Sequence, residues 1–398
     1  MPFTPDWRWQ LGRTDSPLVS DRQAVPPACQ GRLAHGRDGG EGRAPGLPGH
    51  DLILCKTERG NMGYGRPWLE MRLQHLLADK SVTGACLAHV RQDAIEVAAA
   101  GVRNKDTAEP VDASTVFGGA SLTKPIVSYA LLQLVDAGVL DLDEPLSRST
   151  LPIVPDDAAS ARITMCHVLT HTCGLQNLRD KNPLRLHFHP GAWFSYSSLG
   201  FTFLQSAVEA KTGETLEAIL RRLVFEPLGM RSSSLEWQDR FVGNVANPHE
   251  AAQRLDVHRP PAASASYSLQ TTAGDYGAFV AAVLRGDGLS ASTWKQWLTA
   301  SVMVPKGEIV YLDGTPSATE PDIGWGLGWG VEPSRGTFFQ WGKMQGVRAF
   351  VMGSTEHQSG VVLLTNSNTG LRLMEDAARE TLPGEHPAIR WLAHGVSE

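Results

Sequence analysis

The sequence predicts an α/β fold of the α+β type, in which one sheet is built from both ends of the chain and a helical region is inserted between them. Two observations support this fold class. Strand-like runs occur near both ends of the patterned sequence, and the middle has mainly helical periodicity broken by Pro- and Gly-containing loops. If strands from the two ends pair in one sheet, the helical middle must be an insertion between them.

The first elements of the patterned sequence are a helix and two strands. Leucines at helical spacing predict a helix over residues 68–77, and the apolar runs 84–90 and 94–101, joined by a polar turn, predict two paired strands. A further helix is expected to open at Ser121, with one apolar face, and to end near Gly138.

The end of the chain returns to strand patterns. The apolar runs 338–341, 347–352 and 360–364 predict three strands, and the spacing over 371–380 predicts a last helix. These elements would complete the sheet begun by the first two strands.

Composition divides the chain into two parts. Residues 1–66 include a stretch dense in Gly, Pro, Arg and His, which can bury little apolar surface, so we expect a poorly ordered extension there. Patterned sequence begins just after Met62, which makes this residue a candidate start of translation. We expect one catalytic domain over 67–398. Its sheet region would take about 67–120 and 300–398, and its helical region about 121–299.

Bulk properties limit the classes of partner. The chain has 398 residues, a net charge of -6, 42% hydrophobic and 20% charged residues. This charge gives no basic face for a nucleic acid, and no apolar run approaches the roughly 18–20 residues of a membrane span. The N-terminus lacks the pattern of a secretory signal, and the odd count of 5 cysteines favours reduced thiols, so we expect a cytoplasmic protein. Oligomeric state is not indicated.

The first motif with chemical content pairs Ser121 with Lys124. On a helix these residues lie about one turn apart on nearly the same face. A serine hydroxyl needs an adjacent base to act as a nucleophile, and a lysine amine serves when its pKa is lowered. Taken alone, the S-x-x-K pattern is weak, because it occurs by chance and more often marks a helix cap (Ser121) followed by a solvated first-turn charge (Lys124).

Two later runs give the S-x-x-K pattern its context. Residues 163–175 contain the letters T-H-T-C-G-L, and residues 190–201 contain P-G-A-W-F-S-Y-S-S. In this order the motifs resemble those of the serine β-lactamase-like superfamily, which holds class C β-lactamases, D,D-peptidases, family VIII carboxylesterases and related acyltransferases. The resemblance covers roughly residues 70 to 370. It implies a β-lactamase-like fold, with an antiparallel sheet flanked by helices and the active site between the sheet and the helical region.

The resemblance also implies residue roles. Ser121 is the expected nucleophile, Lys124 its base, and Tyr196 the tyrosine that shuttles a proton to and from the serine. Ser198 stands where the superfamily commonly has an asparagine, which weakens any transfer of amide recognition to this chain.

The third motif of the superfamily departs most. Trp341 stands where penicillin-recognising members carry a cation, and Gly342 follows it, which is closer to the W-G-G of the carboxylesterases. Lys343 replaces the next glycine and, in a regular strand, faces the same side as Trp341. We expect Ser198, Trp341, Gly342 and Lys343 to line the substrate site. By position, the oxyanion hole would use the backbone N–H groups of Ser121 and Met344.

No metal or other cofactor is expected. His167 and His171 have the spacing of helical metal ligands, but no glutamate lies between them as H-E-x-x-H requires. No G-x-S-x-G elbow is present, so an α/β-hydrolase is not expected.

We therefore expect a serine acyl-transfer enzyme that acts on a small-molecule ester or amide through an acyl-enzyme. Release of the acyl group to water would make it a carboxylesterase-type hydrolase. Release to an amine or alcohol would make it a biosynthetic acyltransferase or transamidase, and the motifs do not separate these fates. A β-lactamase, a D-aminopeptidase and a catalytically silent binding protein rank below them.

Overall fold

The structure, a computed structural model, describes residues 65–92 and 94–395. The predicted extension therefore lies outside the described residues, apart from its last two positions. The described helices are α1 (Arg66–Lys80), α2 (Thr123–Asp136), α3 (Met165–Leu169), α4 (Ser198–Thr212), α5 (Leu216–Leu220), α6 (Ala273–Arg285), α7 (Ala291–Trp297), α8 (Met374–Thr381) and α9 (Pro387–Gly395). No helix in the described part of the chain is both long and apolar enough to span a bilayer.

The strands come from both ends of the chain and from its middle. They are β1 (Gly84–Arg91), β2 (Ala94–Asn104), β3 (Glu109–Pro110), β4 (Phe117–Ala120), β5 (His249–Glu250), β6 (Gln253–Arg254), β7 (Leu269–Thr271), β8 (Val302–Pro305), β9 (Thr319–Trp325), β10 (Gly330–Glu332), β11 (Thr337–Met344), β12 (Val347–Ser354) and β13 (Ser359–Thr365).

Among the described residues, nine strands form one antiparallel sheet in the order β3-β2-β1-β13-β12-β11-β10-β9-β8. The pairing of β1 with β13 joins the strands before and after the helical region within this sheet. The remaining strands form two small ladders, β4 with β7 and β5 with β6. An antiparallel sheet built from both chain ends is the predicted architecture, and the structure confirms it.

Helices cover both faces of the sheet. Leu87 and Leu363 point to one face, where they share a core with α1, α8 and α9. Helix α6 packs on the other face, against β1, β2 and β13. Gly277 allows its close approach, since a Cβ there would lie 3.0 Å from Ile95 and 3.4 Å from Ala88. The alternation of side chains along each strand thus supplies two apolar faces, each with its own helices.

Helix α2 is buried around its whole circumference, which differs from the single apolar face expected from its sequence. Its polar side chains find partners inside the protein. The Ser128 hydroxyl donates to the Pro125 carbonyl at 2.9 Å and accepts from the Trp297 indole N–H at 3.2 Å. Just before the helix, the Leu122 carbonyl accepts a hydrogen bond from the Tyr276 hydroxyl of α6 at 3.0 Å. A central helix fixed on all sides is a rigid support for residues at its N-terminus.

Two predicted boundaries were wrong. Helix α2 begins at Thr123, so Ser121 lies in the turn before it. The helix predicted as the last one, α8, is followed by α9, whose Ile389, Trp391 and Leu392 are buried. The apolar pattern of α9 is short and begins at a proline, so it did not predict a helix.

We expect the Leu363→Ala substitution to destabilise the fold. Leu363 is 1% exposed and lies opposite Leu87 on one side and Phe350 on the other. Removal of its side chain should cost about 2–5 kcal/mol in the free energy of unfolding. The matched control is Leu151→Ala, because Leu151 is 79% exposed. Urea denaturation of both variants measures the difference, and equal losses would contradict this placement of the core.

Candidate active site

Ser121 lies on a tight turn between β4 and α2. The turn is closed by a hydrogen bond from the Leu122 N–H to the Gly119 carbonyl at 3.0 Å and by one from the Lys124 N–H to the Ser121 carbonyl at 3.1 Å. Ala120 has a φ of 47°, a left-handed conformation that costs a non-glycine residue about 1–2 kcal/mol. The surrounding core holds this strained residue, which is fully buried. The Ser121 side chain on this turn is half-buried, and its Oγ is hydrogen-bonded to the buried Lys124 amine.

The amine of Lys124 is enclosed by three oxygen atoms. Its Nζ lies 3.0 Å from Ser121 Oγ, 3.1 Å from Ser198 Oγ and 2.8 Å from the Ser266 carbonyl oxygen. The side chain is fully buried, and this burial lowers the pKa of Lys124 from 10.5 to about 7. An amine with this pKa exchanges its proton near neutral pH, as a general base for a serine hydroxyl must.

The three oxygens also fix where the protons of a neutral Lys124 amine point. A carbonyl oxygen can only accept, so the Ser266 carbonyl takes one N–H. If Ser198 Oγ accepts the second N–H, the lone pair of the nitrogen faces Ser121 Oγ. That lone pair can then accept the Ser121 hydroxyl proton, which leaves an ammonium with one acceptor for each N–H.

Tyr196 approaches Ser121 from the other side. Its ring is buried, Gln340 Nε2 lies 3.3 Å from its Oη, and Ser121 is close enough to interact with the hydroxyl. Burial raises the pKa of Tyr196 above its usual value. The side chain is therefore a neutral phenol near pH 7, which can donate a proton.

His171 holds the backbone beside Tyr196. Its Nδ1 accepts the Ser197 N–H at 3.0 Å, and its ring stacks on the Tyr196 ring with centroids 4.1 Å apart. The residue is fully buried, has a φ of 55°, and burial lowers its pKa well below the usual value. A neutral imidazole in a strained conformation is thus part of the scaffold that positions Tyr196.

The two candidate metal ligands make separate hydrogen bonds. His167 Nδ1 accepts the Thr164 N–H at 3.2 Å within a cap at the start of α3, whereas His171 faces Ser197. Within the residues that the structure describes, no group of three or more His, Cys, Asp and Glu side chains could hold a metal ion.

Trp341 lies in the core beneath the site. It is 5% exposed, its ring centroid is 5.0 Å from that of Tyr196, and it also contacts Trp325 and Trp391. The structure therefore places this indole against the ring of Tyr196. Contact of Trp341 with a substrate stays a prediction.

The rest of the third motif lies on the second half of β11, which pairs with β12. Strand β10 pairs with β11 only at residues 337–339 in the described structure, so Gly342, Lys343 and Met344 lie beyond that ladder. Gly342 must lack a side chain, because a Cβ there would be 2.6 Å from the Gly119 carbonyl oxygen. Lys343 is exposed and Met344 is half-buried. The backbone of the motif is thus brought beside the turn that carries Ser121.

A cavity opens beside this strand end. Its volume is about 450 Å³, and Gly118, Tyr267, Met344 and Val347 are among the residues that line it. Gly118 and Met344 place it next to the strands that carry the Ser121 turn and the third motif, and Ser121, Lys124 and Tyr196 are not among its lining residues.

Sequence reasoning missed two groups in the site. The Ser266 carbonyl carries no signal, because every residue has one. Gln340 did carry a signal, since it is a polar residue within the apolar run of β11 and is fully buried. A buried amide requires partners, and here they are Tyr196 and the Trp341 N–H.

Comparison with known proteins places this geometry in a family. The family model for Beta-lactamase matches residues 69–384. The chain belongs to the Beta-lactamase family. A class C β-lactamase has the same fold, with a TM-score of 0.66 and 17% identity over 80% of this chain and 96% of that chain.

Relatives within the family differ in their names and in how much of them the chain covers. Esterase EstB of Burkholderia gladioli is 32% identical over 195 residues, which is 41% of this chain and 50% of the esterase. Penicillin-binding protein 4 of Amycolatopsis lactamdurans is 28% identical over 358 residues, or 81% and 90% of the two chains. Monacolin J acid methylbutanoyltransferase of Aspergillus terreus is 29% identical over 188 residues, or 38% and 44%. The matches to the esterase and the transferase thus span half of those proteins or less.

We expect the His171→Leu substitution to destabilise the protein more than His171→Asn does. Leucine leaves the Ser197 N–H buried without an acceptor, which should cost about 1–3 kcal/mol. Asparagine offers an oxygen near the position of Nδ1 and tolerates a positive φ. Guanidinium denaturation measures both variants. An asparagine variant no more stable than the leucine variant would refute this role of the imidazole.

Proposed function

We propose that this protein is a carboxylesterase-type serine hydrolase that works through an acyl-enzyme on Ser121. The observation that carries the proposal is the buried Lys124 amine, 3.0 Å from Ser121 Oγ and with a pKa lowered to about 7. Tyr196, whose hydroxyl interacts with Ser121, supplies the acid. Membership of a family with esterase and transferase relatives supports the same chemistry.

The proposed reaction has two steps. Lys124 Nζ takes the hydroxyl proton of Ser121, and Oγ bonds to the carbonyl carbon of the ester. The oxyanion is held by the backbone N–H groups of Ser121 and Met344. When the intermediate collapses, the C–O bond to the alcohol breaks and the Tyr196 phenol protonates the departing oxygen, with the proton on Lys124 restoring the phenol. Water then cleaves the acyl-enzyme by the reverse sequence of proton transfers.

The proposed substrate is an uncharged ester. Trp341 stands where other members place a cation, and its indole is buried, so this position offers no charge to a substrate carboxylate. The cavity beside Met344 is lined by apolar side chains such as Val347 and Leu255 and also by the charged side chains of Asp256 and Arg259. An acyl group with an apolar chain would pack on the apolar part of this lining.

We expect p-nitrophenyl acetate to add one acetyl group to Ser121. Intact mass spectrometry after rapid quenching would show this mass, and Ser121→Ala would abolish it together with the release of nitrophenol. Ser114→Ala is the matched control, because Ser114 is exposed and hydrogen-bonded to Asp112 away from the site. An adduct that persists in the Ser121→Ala variant would refute the nucleophile.

The second candidate function is acyl transfer, favoured by the likeness to the methylbutanoyltransferase. The same acetyl-enzyme distinguishes the two. Loss of the adduct in water alone, with steady turnover, identifies a hydrolase. An adduct that persists until an amine or alcohol is added identifies a transferase.

Acylation should rise with pH through about 7 and then level off. The pKa of Lys124 is lowered to about 7, so its amine is charged below this pH and becomes a base above it. The measurement is kcat/KM for p-nitrophenyl acetate between pH 5 and 9, corrected for spontaneous hydrolysis. Lys124→Arg, which stays charged, should lower the plateau by about 10²–10⁴-fold and remove this limb. A wild-type profile that is flat across neutral pH would contradict Lys124 as the base.

A further inference from the structure

Gln340 is a buried amide whose two ends face different partners. Its side chain has 0% exposure and lies on β11, one residue before Trp341. Oε1 accepts the backbone N–H of Trp341 at 3.1 Å, and Nε2 lies 3.3 Å from Tyr196 Oη. In the proposed reaction Gln340 neither gives nor takes a proton. Its position beside the phenol therefore has another cause.

The partners of Gln340 determine which way its amide points. A backbone N–H can only donate, so the amide atom that faces the Trp341 N–H is the oxygen. The other end is then the NH₂ group, which can only donate, and Tyr196 Oη must accept from it. The phenol proton consequently points away from Gln340. Among the described residues, the other side chain that interacts with this hydroxyl is that of Ser121.

We propose that Gln340 is a positioning residue that aims the hydroxyl proton of Tyr196 at Ser121 and hence at the leaving group. This inference rests on the proposed function. It orders the hydrogen bonds in one direction, from the Gln340 amide to Tyr196 Oη, from the Tyr196 hydroxyl to Ser121 Oγ, and from the Ser121 hydroxyl to Lys124 Nζ. Lys124 is therefore the base and Tyr196 the acid.

The inference also explains how the phenol is held without a charge. Tyr196 is buried, and no cation occupies the position of Trp341. An amide donates an N–H to the phenol oxygen while remaining neutral, so it does not favour loss of the phenol proton as strongly as an ammonium would. The proton thus stays on Tyr196 until the leaving oxygen takes it.

This role has a specific kinetic signature. Collapse of the intermediate from ethyl acetate breaks the bond to an ethoxide-like oxygen, which must receive the Tyr196 proton as it leaves. Collapse with p-nitrophenyl acetate releases a stable phenolate that needs no proton. Loss of a residue that orients the Tyr196 proton should therefore slow the reaction of ethyl acetate and hardly change that of p-nitrophenyl acetate.

The test compares kcat/KM for ethyl acetate and p-nitrophenyl acetate, measured by pH-stat, in wild type, Gln340→Leu and Gln340→Glu. Leucine removes the donor. Glutamate has the same size but, when ionised, accepts the phenol proton and turns it away from Ser121. Both variants are expected to lower the ratio of ethyl to p-nitrophenyl ester kcat/KM by about 10–100-fold. If the leucine variant does not fold, the isosteric glutamate variant carries the test.

The matched control is Gln133→Leu, which removes an amide hydrogen bond to the Leu223 carbonyl in the helical region and should leave the ratio unchanged. Gln340 variants that lower both esters equally would overturn the inference and leave the proposed function standing. Wild-type protein in which neither ester acylates Ser121 would overturn both.

Discussion

The site depends on a lysine amine placed where water cannot solvate its charge. Burial makes the ammonium of Lys124 costly, and three oxygen atoms at 2.8–3.1 Å keep it from being prohibitive. The balance leaves the pKa of Lys124 near 7. The enclosure needs a fully buried α2, a carbonyl from the segment after β6 and a hydroxyl at the start of α4, so much of the helical region serves to hold one nitrogen.

Around this amine the protein uses neutral groups. The phenol of Tyr196, the imidazole of His171 and the amide of Gln340 are all buried. Burial raises the pKa of Tyr196 and lowers the pKa of His171, so both rings are uncharged near pH 7. A second buried charge would shift the pKa of Lys124 by Coulomb interaction. Because the surrounding groups stay neutral, Lys124 is the group of the site that titrates near pH 7.

The sequence predicted the fold class and led to a candidate site because both follow local patterns. Alternating and apolar runs identified strands β1, β2 and β11–β13, and three short motifs identified Ser121, Lys124 and Tyr196. The structure brings these three together. What sequence reasoning missed depends on long-range packing. The Ser266 carbonyl has no side-chain signal, the partners of Gln340 are distant in the chain or on its backbone, and α9 has too short an apolar pattern to be distinguished from a tail.

The pairing of β1 with β13 has a consequence for the life of the nascent chain. Residues 84–91 must wait for residues 359–365 before these two strands can pair, and such distant pairings form slowly. Ser121 and Lys124 are synthesised more than 200 residues before Gln340 and the strand that carries it. A nascent chain that still lacks β11 therefore holds the proposed nucleophile but not the surroundings proposed to make it reactive.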